Sequence, residues 1–129
     1  MDTSAILAVV LDEPEQVEFS LLMERADKLF VSAVSVLEAS LVMEGRYGAK
    51  SSERLDLFLY ETAIEIVPFG RQQLTIARAA FRTYGKGRHP AGLNFGDCAS
   101  YSLAKWLSEP LLFKGNDFSQ TDVSSARLG

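Results

Sequence analysis

Four acidic residues, far apart in the sequence, lie beside apolar strand-like runs or at helix starts. They are Asp2, Glu38, Asp97 and Asp117. Such positions can converge at one edge of an α/β sheet, where clustered carboxylates suit a hard divalent cation such as Mg²⁺. Carboxylates paired through a metal also escape the cost of burying unpaired charge. The pattern predicts a small metal-dependent enzyme that acts on phosphate esters.

Three of these acids also have a purely structural interpretation. Ser35 and Glu38 have the spacing of a capping box, in which a hydroxyl and a carboxylate satisfy free amides at a helix start. Asp97 follows Asn94 by three residues, where an acid complements the positive end of a helix. Asp117 has the setting of a turn residue. The helix after Ser35 is apolar nearly all round, so a carboxylate at its start needs a partner, which favours a functional role for Glu38.

The acids at the two ends of the chain are less firmly placed by their neighbours. Only Met1 precedes Asp2, so the residues alone predict little strand to hold this carboxylate. Ser4 either adds a hydroxyl to the site or caps the first helix, and the cap is the simpler interpretation. Asp122 follows Thr121 and could likewise cap the final short segment.

The elements that must position these residues alternate between strands and helices. Strands are predicted for the apolar runs 29–33, 64–67 and 111–113, while the run 5–11 fits either a buried helix or a strand. Helices are predicted over 35–44 with Gly45 as a stop, over 72–84, and after an Asn94 cap. This alternation implies an α/β fold with a parallel sheet covered on both faces, in one domain over residues 1–129. Ligands bind such sheets beyond the carboxyl ends of the strands, which gives the acids a common edge.

Composition argues against several other chemistries. One histidine and one cysteine leave a zinc site of nitrogen and sulfur ligands without enough members. Cys98 has no obvious base beside it and is predicted to be a buried small hydrophobe. Phe95, Tyr101 and Trp106 stand at helical spacing and are predicted core residues. A lone cysteine fits a reducing compartment, and no apolar run approaches the roughly 20 residues that cross a bilayer, so we expect a soluble cytoplasmic protein.

Charge is distributed unevenly along the chain. The formal net charge of −4 argues against a protein that coats nucleic acid through bulk positive charge. From Ile66 to Gly96, however, there is no acidic residue, and basic residues are frequent. This stretch is either a surface that holds phosphates or a solvated helix face followed by a basic loop. The candidate substrate-binding residues in it are Arg82, Lys86, Arg88 and His89.

Several segments, taken in order and spacing, carry a family resemblance. They are Asp2-Thr3-Ser4-Ala5, Ser35-Val36-Leu37-Glu38, Tyr84-Gly85-Lys86-Gly87, Leu93-Asn94-Phe95-Gly96-Asp97-Cys98, and the run 111–118 followed by Thr121-Asp122. With these segments the chain resembles the PIN-domain ribonucleases, specifically toxins of the VapC type from bacterial toxin–antitoxin pairs. The resemblance covers essentially the whole length.

The resemblance implies a three-layer α/β/α fold around a parallel sheet of four or five strands. It also implies endonucleolytic cleavage of RNA that depends on Mg²⁺ or Mn²⁺. Asp2 and Asp97 would be the principal metal ligands, Glu38 and Asp117 would support them, and Asp122 is a further candidate. The implied partners are an RNA substrate, an antitoxin that masks the site, a second toxin copy in a homodimer, and DNA only indirectly through the antitoxin.

Two other functions stay open at this point. A receiver-like phosphotransfer domain shares the α/β class, a magnesium site and a lysine after a strand, Lys114, but it needs an acceptor aspartate at the end of a central strand. Glu38 and Asp97 are instead predicted in helices. An inactive partner-binding module is the other alternative, with an apolar groove for a partner helix. Its candidate residues are Leu21, Leu22, Leu57 and Phe58.

Overall fold

Six α-helices and two β-strands form within residues 1–127, the part of the chain that the computed structural model describes. The helices are α1 (Thr3–Val10), α2 (Gln16–Arg25), α3 (Ala33–Tyr47), α4 (Ser52–Thr62), α5 (Arg71–Tyr84) and α6 (Phe95–Leu107). The strands are β1 (Phe30–Ser32) and β2 (Glu65–Val67), and short 3₁₀ turns cover Ala49–Ser51 and Phe118–Gln120. Residues 128 and 129, the end of the predicted domain, lie outside the described residues.

The two strands pair in parallel, with Val31 opposite Ile66 in the middle of the register. The chain crosses from β1 to β2 through α3 and α4, as parallel strands require. Two apolar cores flank the sheet, because neighbouring residues of an extended segment point to opposite faces. Leu112 packs into the core formed with α1 to α4, and Leu111 packs into the core formed with α5 and α6. The α/β class with helices on both faces is therefore confirmed.

The predicted sheet of four or five strands is present only in part. Residues 1–2 donate hydrogen bonds to the Phe30 carbonyl on one side and to the Leu112 carbonyl on the other, both at 2.9 Å. Leu111 in turn donates to the segment 124–126 at 2.8 Å. Five chain segments thus lie side by side in one hydrogen-bonded row. Only β1 and β2 are strands, because the other three segments turn away into a helix or loop after very few residues.

Three predicted element boundaries are settled or corrected. The ambiguous first run is the helix α1, and the predicted strand 111–113 forms only a bridge, from Leu111 to Ser125. Helix α3 continues through the predicted stop at Gly45, because one glycine costs a helix only about 1 kcal/mol. It ends instead at Gly48, whose φ of +86° is a conformation that glycine adopts without strain.

The starts of α3 and α6 follow different local rules. Strand β1 runs directly into α3, and Ser32 caps this helix with its hydroxyl, which accepts from the Val34 amide at 3.2 Å. Ser35 consequently lies inside the helix, and the predicted capping box of Ser35 with Glu38 is wrong. At α6 the prediction is confirmed, since Asn94 is the cap.

Burial confirms part of the predicted core. Tyr101 and Cys98 are buried, as expected for the central turns of α6 that pack against α5. Phe95 is 82% exposed and Trp106 is 45% exposed, so the prediction that they belong to the core is wrong. Phe95 is the first residue of α6 and Trp106 stands near its end, outside the buried turns 98–104.

The apolar residues proposed for a partner groove are divided between surface and core. Leu21 and Leu57 are exposed, whereas Phe58 is buried and Leu22 packs against the same core. Half of the predicted groove is therefore unavailable to a partner. Within residues 1–127, no helix is both long enough and apolar enough to cross a membrane.

Candidate functional site

The four predicted acids lie at or near the beginnings of separate elements. Asp2 is the cap of α1, Asp97 lies in the first turn of α6, and Asp117 immediately precedes the 3₁₀ turn at Phe118. Glu38 lies further along α3, in its second turn. Each carboxylate therefore comes from a different part of the chain, and only the tertiary fold can bring them together.

Asp2 is held more firmly than its place beside the amino terminus suggests. It is only 4% exposed, and its amide donates to the Leu112 carbonyl at 2.9 Å. One carboxylate oxygen accepts from the Ser4 amide at 3.0 Å and from the Ser4 hydroxyl at 2.7 Å. The other oxygen accepts from the Ser100 hydroxyl. The expectation that Ser4 caps α1 is wrong, since Asp2 is the cap and Ser4 binds it.

Asp97 combines the structural and functional interpretations. Its amide donates to the Asn94 side chain at 2.9 Å, and its Oδ2 accepts from the Asn94 amide at 3.1 Å, which completes a capping box. The pKa of Asp97 is raised from 3.8 to about 6, first by burial and then by the negative charges of Asp2, Asp117 and Glu38, against the lowering effect of the Asn94 hydrogen bond. Charges shift a pKa in this way only at short range. The four acids therefore share one negative region.

Glu38 meets α6 at a glycine. A Cβ atom built at Gly96 would lie 2.6 Å from the Glu38 carboxyl carbon, closer than real atoms approach. Any larger residue at position 96 would displace the carboxylate or separate α3 from α6. Sequence reasoning missed Gly96 as a site residue. Its signal was a glycine within the first turn of a helix, directly before the acid.

The loop that carries Asp117 is tied to the start of the chain. The Lys114 amide donates to the Ser4 hydroxyl at 3.0 Å, and that hydroxyl also donates to Asp2. The Lys114 ammonium pairs with Glu13 at 3.2 Å and with Glu15 at 3.3 Å. Ser4 therefore bridges the first acid and the loop of the fourth. The lysine is engaged by two other acids, which weakens the receiver-like interpretation.

Asp122 is engaged away from this cluster. It accepts from the Tyr101 hydroxyl and pairs with the Lys105 ammonium at 3.1 Å. The pKa of Asp122 is lowered, mainly by the hydrogen bond from Tyr101. Its charge is also absent from the groups that raise the pKa of Asp97. Asp122 is best described as a structural residue that fastens the last segment to α6.

The donor set suits a hard divalent cation, although the carboxylates do not form a ready-made metal site. Within residues 1–127, no three side chains of Asp, Glu, His or Cys lie close enough together to enclose an ion. In the same range, no lysine or arginine pairs with any of the four acids. Burial and, after it, the charges of the other three acids raise the pKa of Asp97, and no basic side chain in this range offsets their negative charge. Oxygen-only ligands of this kind fit Mg²⁺ or Mn²⁺ rather than zinc.

The predicted substrate-binding residues lie beside the start of α6. Arg82 lines an apolar groove together with Phe95 of α6, so the basic end of α5 adjoins the turn that carries Asp97. Lys86 and Arg88 are exposed in the loop that follows α5. The Arg88 guanidinium also lies 5.4 Å from the centre of the Phe81 ring.

His89 makes contacts that stabilise its own loop. Its Nδ1 accepts from the Ala91 amide at 3.0 Å, and its ring packs edge-on against Tyr84 with centres 5.1 Å apart. One ring nitrogen is therefore committed to the loop, and only the other is available to a ligand.

The comparisons with known proteins agree with one another. The PIN domain model matches residues 1–124. The chain is 48% identical over 128 residues to the ribonuclease VapC30 of Mycobacterium tuberculosis and to a VapC ribonuclease of Mycobacterium bovis, over 99% of this chain and 98% of each relative. It is 43% identical over 125 residues to the ribonuclease VapC of Mycolicibacterium smegmatis, over 97% of both.

A solved structure supports the same fold at much lower identity. The Mycobacterium tuberculosis toxin VapC20, which cleaves the sarcin–ricin loop, superposes with a TM-score of 0.78 over 98% of this chain and 97% of that one. The two sequences are only 13% identical, so this likeness concerns the fold alone.

Proposed function

This chain belongs to the PIN-domain family, and from that membership we propose that it is an endoribonuclease, the toxin of a toxin–antitoxin pair. Its full-length similarity to proteins named as VapC ribonucleases supports this proposal. The cluster of four carboxylates supplies the chemistry. The observation that carries it is how the fold brings the acids together: Ser100, one turn after Asp97 on α6, donates to Asp2, and Gly96, directly before Asp97, lies against Glu38.

We propose that Asp2 and Asp97 bind Mg²⁺ or Mn²⁺ directly and that Glu38 and Asp117 support them. Asp2 is fixed by three hydrogen bonds, and the capping box occupies only one oxygen of Asp97. When bound, a divalent ion supplies a water of lowered pKa and stabilises negative charge that grows on the phosphate. Without a cation, the four carboxylates repel the RNA backbone.

The basic stretch would hold the strand that is cut. Arg82 is exposed and lines a groove with Phe95 of the turn that carries Asp97, and Lys86 and Arg88 are exposed in the loop that follows α5. Salt-dependent contacts of this type position RNA without reading its sequence. His89 contributes at most through the ring nitrogen that Ala91 leaves free.

We further propose that the toxin is a cytoplasmic homodimer that an antitoxin inhibits. Five exposed apolar side chains on α3, α5 and α6 support a protein interface, and the ones on α5 and α6 line a common apolar groove. They are Leu37, Leu41, Leu74, Phe81 and Phe95. DNA contacts would come only through the antitoxin. Light scattering of the purified chain, with and without a co-expressed upstream open reading frame, tests both associations.

The proposed activity is tested by cleavage of a mixed RNA pool in Mg²⁺ or Mn²⁺, with and without EDTA. Asp97→Asn keeps an oxygen that can complete the capping box, so it should fold. It should lose at least about a hundredfold in cleavage rate, because even changes outside the ligand shell cost about 10- to 100-fold.

Asp122→Asn is the matched control, since it makes the same chemical change on an acid outside the cluster. It should cleave RNA at nearly the wild-type rate while losing some stability with its contacts to Tyr101 and Lys105. Cleavage that survives EDTA, or that falls equally in both variants, would contradict the proposed metal site.

A further inference from the structure

Two buried hydroxyl groups form a hydrogen-bonded pair that reaches the Asp2 carboxylate. Ser100 is 1% exposed and donates to Asp2, and Ser35 is fully buried with its Oγ 3.1 Å from the Ser100 Oγ. A hydroxyl has only one hydrogen. Because Ser100 gives its hydrogen to the carboxylate, Ser35 must donate to Ser100. The hydrogen bonds therefore run in one direction, from Ser35 through Ser100 to Asp2.

This buried serine pair, Ser35 and Ser100, joins the three helices that carry acids. Ser35 lies three residues before Glu38 on α3, and Ser100 lies three residues after Asp97 on α6. Residues three apart share one face of a helix. Each serine is thus about one turn from the acid of its own helix, and Ser100 also contacts the acid that starts α1.

Packing alone does not explain two hydroxyls at this depth. Burying a hydroxyl costs free energy unless it is hydrogen-bonded, and two alanines at these positions avoid that cost. A paired hydroxyl in contact with a carboxylate, in contrast, fixes the orientation of that carboxylate. Hydrogen bonds to an ionised acceptor are about twice as strong as neutral ones.

We propose that the buried serine pair is a positioning device that fixes the Asp2 carboxylate relative to Glu38 and Asp97, and through it sets the affinity of the site for a divalent cation. The inference rests on the proposed function, since it assumes that these acids bind the ion. Ser100 acts through Asp2, and Ser35 acts only through Ser100. Neither serine touches the substrate.

The test is a Mn²⁺ titration of the full-length chain without RNA, followed by electron paramagnetic resonance. Ser100→Ala should raise the Kd for Mn²⁺ by about tenfold or more, the usual effect of removing a group that orients a metal ligand. Ser102→Ala is the matched control. Ser102 is also fully buried on α6, but it donates within its own helix, to the Ala99 carbonyl at 2.9 Å.

The control should bind Mn²⁺ with wild-type affinity. In EDTA, Ser100→Ala should lose more free energy of unfolding than the control, because its lost hydrogen bond has an ionised acceptor. Ser35→Ala should raise the Kd for Mn²⁺ less than Ser100→Ala does. If Ser100→Ala fails to fold, Ser35→Ala replaces it as the test variant. The double variant should be no weaker than Ser100→Ala alone, because Ser35 has no other route to the carboxylate.

Two outcomes overturn the inference. One is equal affinity in Ser100→Ala and Ser102→Ala, and the other is full additivity of the two changes in the double variant. In either case the proposed function stands as long as wild-type protein binds Mn²⁺. Failure of the wild type to bind Mn²⁺ removes the proposed metal site and this inference with it.

Discussion

Asp97 shows how one side chain serves both folding and chemistry. Its capping box with Asn94 anchors the start of α6, while burial and three neighbouring acids raise its pKa to about 6. A carboxyl with a raised pKa is held in its charged form at a cost to the folded state. Perturbed pKa values of this kind cluster at functional sites, which agrees with the proposal that Asp97 binds a cation.

The raised pKa predicts how metal-free protein responds to pH. Between the ordinary pKa of 3.8 and the folded value of about 6, the folded chain binds more protons at Asp97 than the unfolded chain. The contribution of Asp97 to the free energy of unfolding therefore falls as pH rises through this window. In EDTA, wild type should lose stability relative to Asp97→Asn across it, since asparagine cannot ionise. The loss should be less than about 3 kcal/mol, because water screens this partly exposed carboxyl group.

Urea denaturation at a series of pH values checks this expectation. Saturating Mn²⁺ at neutral pH should reverse the order of the two proteins, because only wild type gains from the ion. If the stability curves of wild type and Asp97→Asn stay parallel from pH 4 to pH 7 in EDTA, the fold does not raise the pKa of Asp97.

Sequence identified the acids better than it identified what holds them. The Asn94 cap was predictable from its residue type at a helix start. The four acids belong to the segments that carry the resemblance, and their metal binding stays a prediction. The roles of Ser4 and Ser100 were not predictable, since each depends on contacts across the fold. Ser100 binds Asp2 over 98 positions of sequence. No local pattern marks such a pair.

At the scale of elements, the site depends on how closely α3 approaches α6. Gly96 permits that approach, because any Cβ there meets the Glu38 carboxyl group. The clash falls on the end of a flexible side chain, so the helices can stay in place if Glu38 moves. The absence of a side chain at Gly96 is therefore needed to leave room for the Glu38 carboxylate more than to let the helices pack.

Gly96→Ala should consequently fold but lose Mn²⁺ affinity and RNA cleavage, by about tenfold or more. Gly45→Ala is its matched control, since a Cβ at Gly45 of α3 meets nothing within 4 Å. The control should gain roughly 0.5–1 kcal/mol of stability from helix propensity and keep full activity. Thermal melts and the Mn²⁺ titration measure both. Unchanged affinity in Gly96→Ala would show that Glu38 is not part of the site.

The shortness of the sheet was the main error at this scale. The apolar runs 29–33 and 64–67 contain β1 and β2, whereas the run 111–113 forms only a bridge, and the sheet of four or five strands was implied by the resemblance. Five segments do line up in a hydrogen-bonded row. Only two of them are strands, because chain direction changes within very few residues of each pairing. Periodicity reports which residues are apolar, but it does not report where neighbouring segments turn away.

At the scale of the whole molecule, acidic and basic regions lie next to each other. The net charge is −4, yet no acid occurs between Ile66 and Gly96, and Arg82 lies beside the start of α6. An RNA strand could then be attracted by the basic side and cut at the acidic side once a cation is bound. The net charge of the chain alone does not reveal this arrangement.

The salt dependence of RNA binding measures how many phosphate contacts the basic stretch makes. In an Asp97→Asn background that cannot cut, replacing both Arg82 and Arg88 with alanine should weaken binding. It should also lower the slope of log K against log salt by about 1.4, or about 0.7 for each lost phosphate contact on a single strand. Arg25→Ala with Arg46→Ala removes the same charge from exposed positions at other helix ends and should leave the slope unchanged. Equal slopes in the two double variants would show that the basic stretch is only solvated surface.

The most direct measurement is the anomalous scattering of Mn²⁺ in a crystal of the wild-type chain. We expect a peak between the carboxylates of Asp2 and Asp97, at about 2.1 Å from an oxygen of each. Glu38 and Asp117 should approach it directly or through water. Well-ordered side chains at all four acids with no peak among them would contradict the proposal that these residues form a metal-dependent nuclease site.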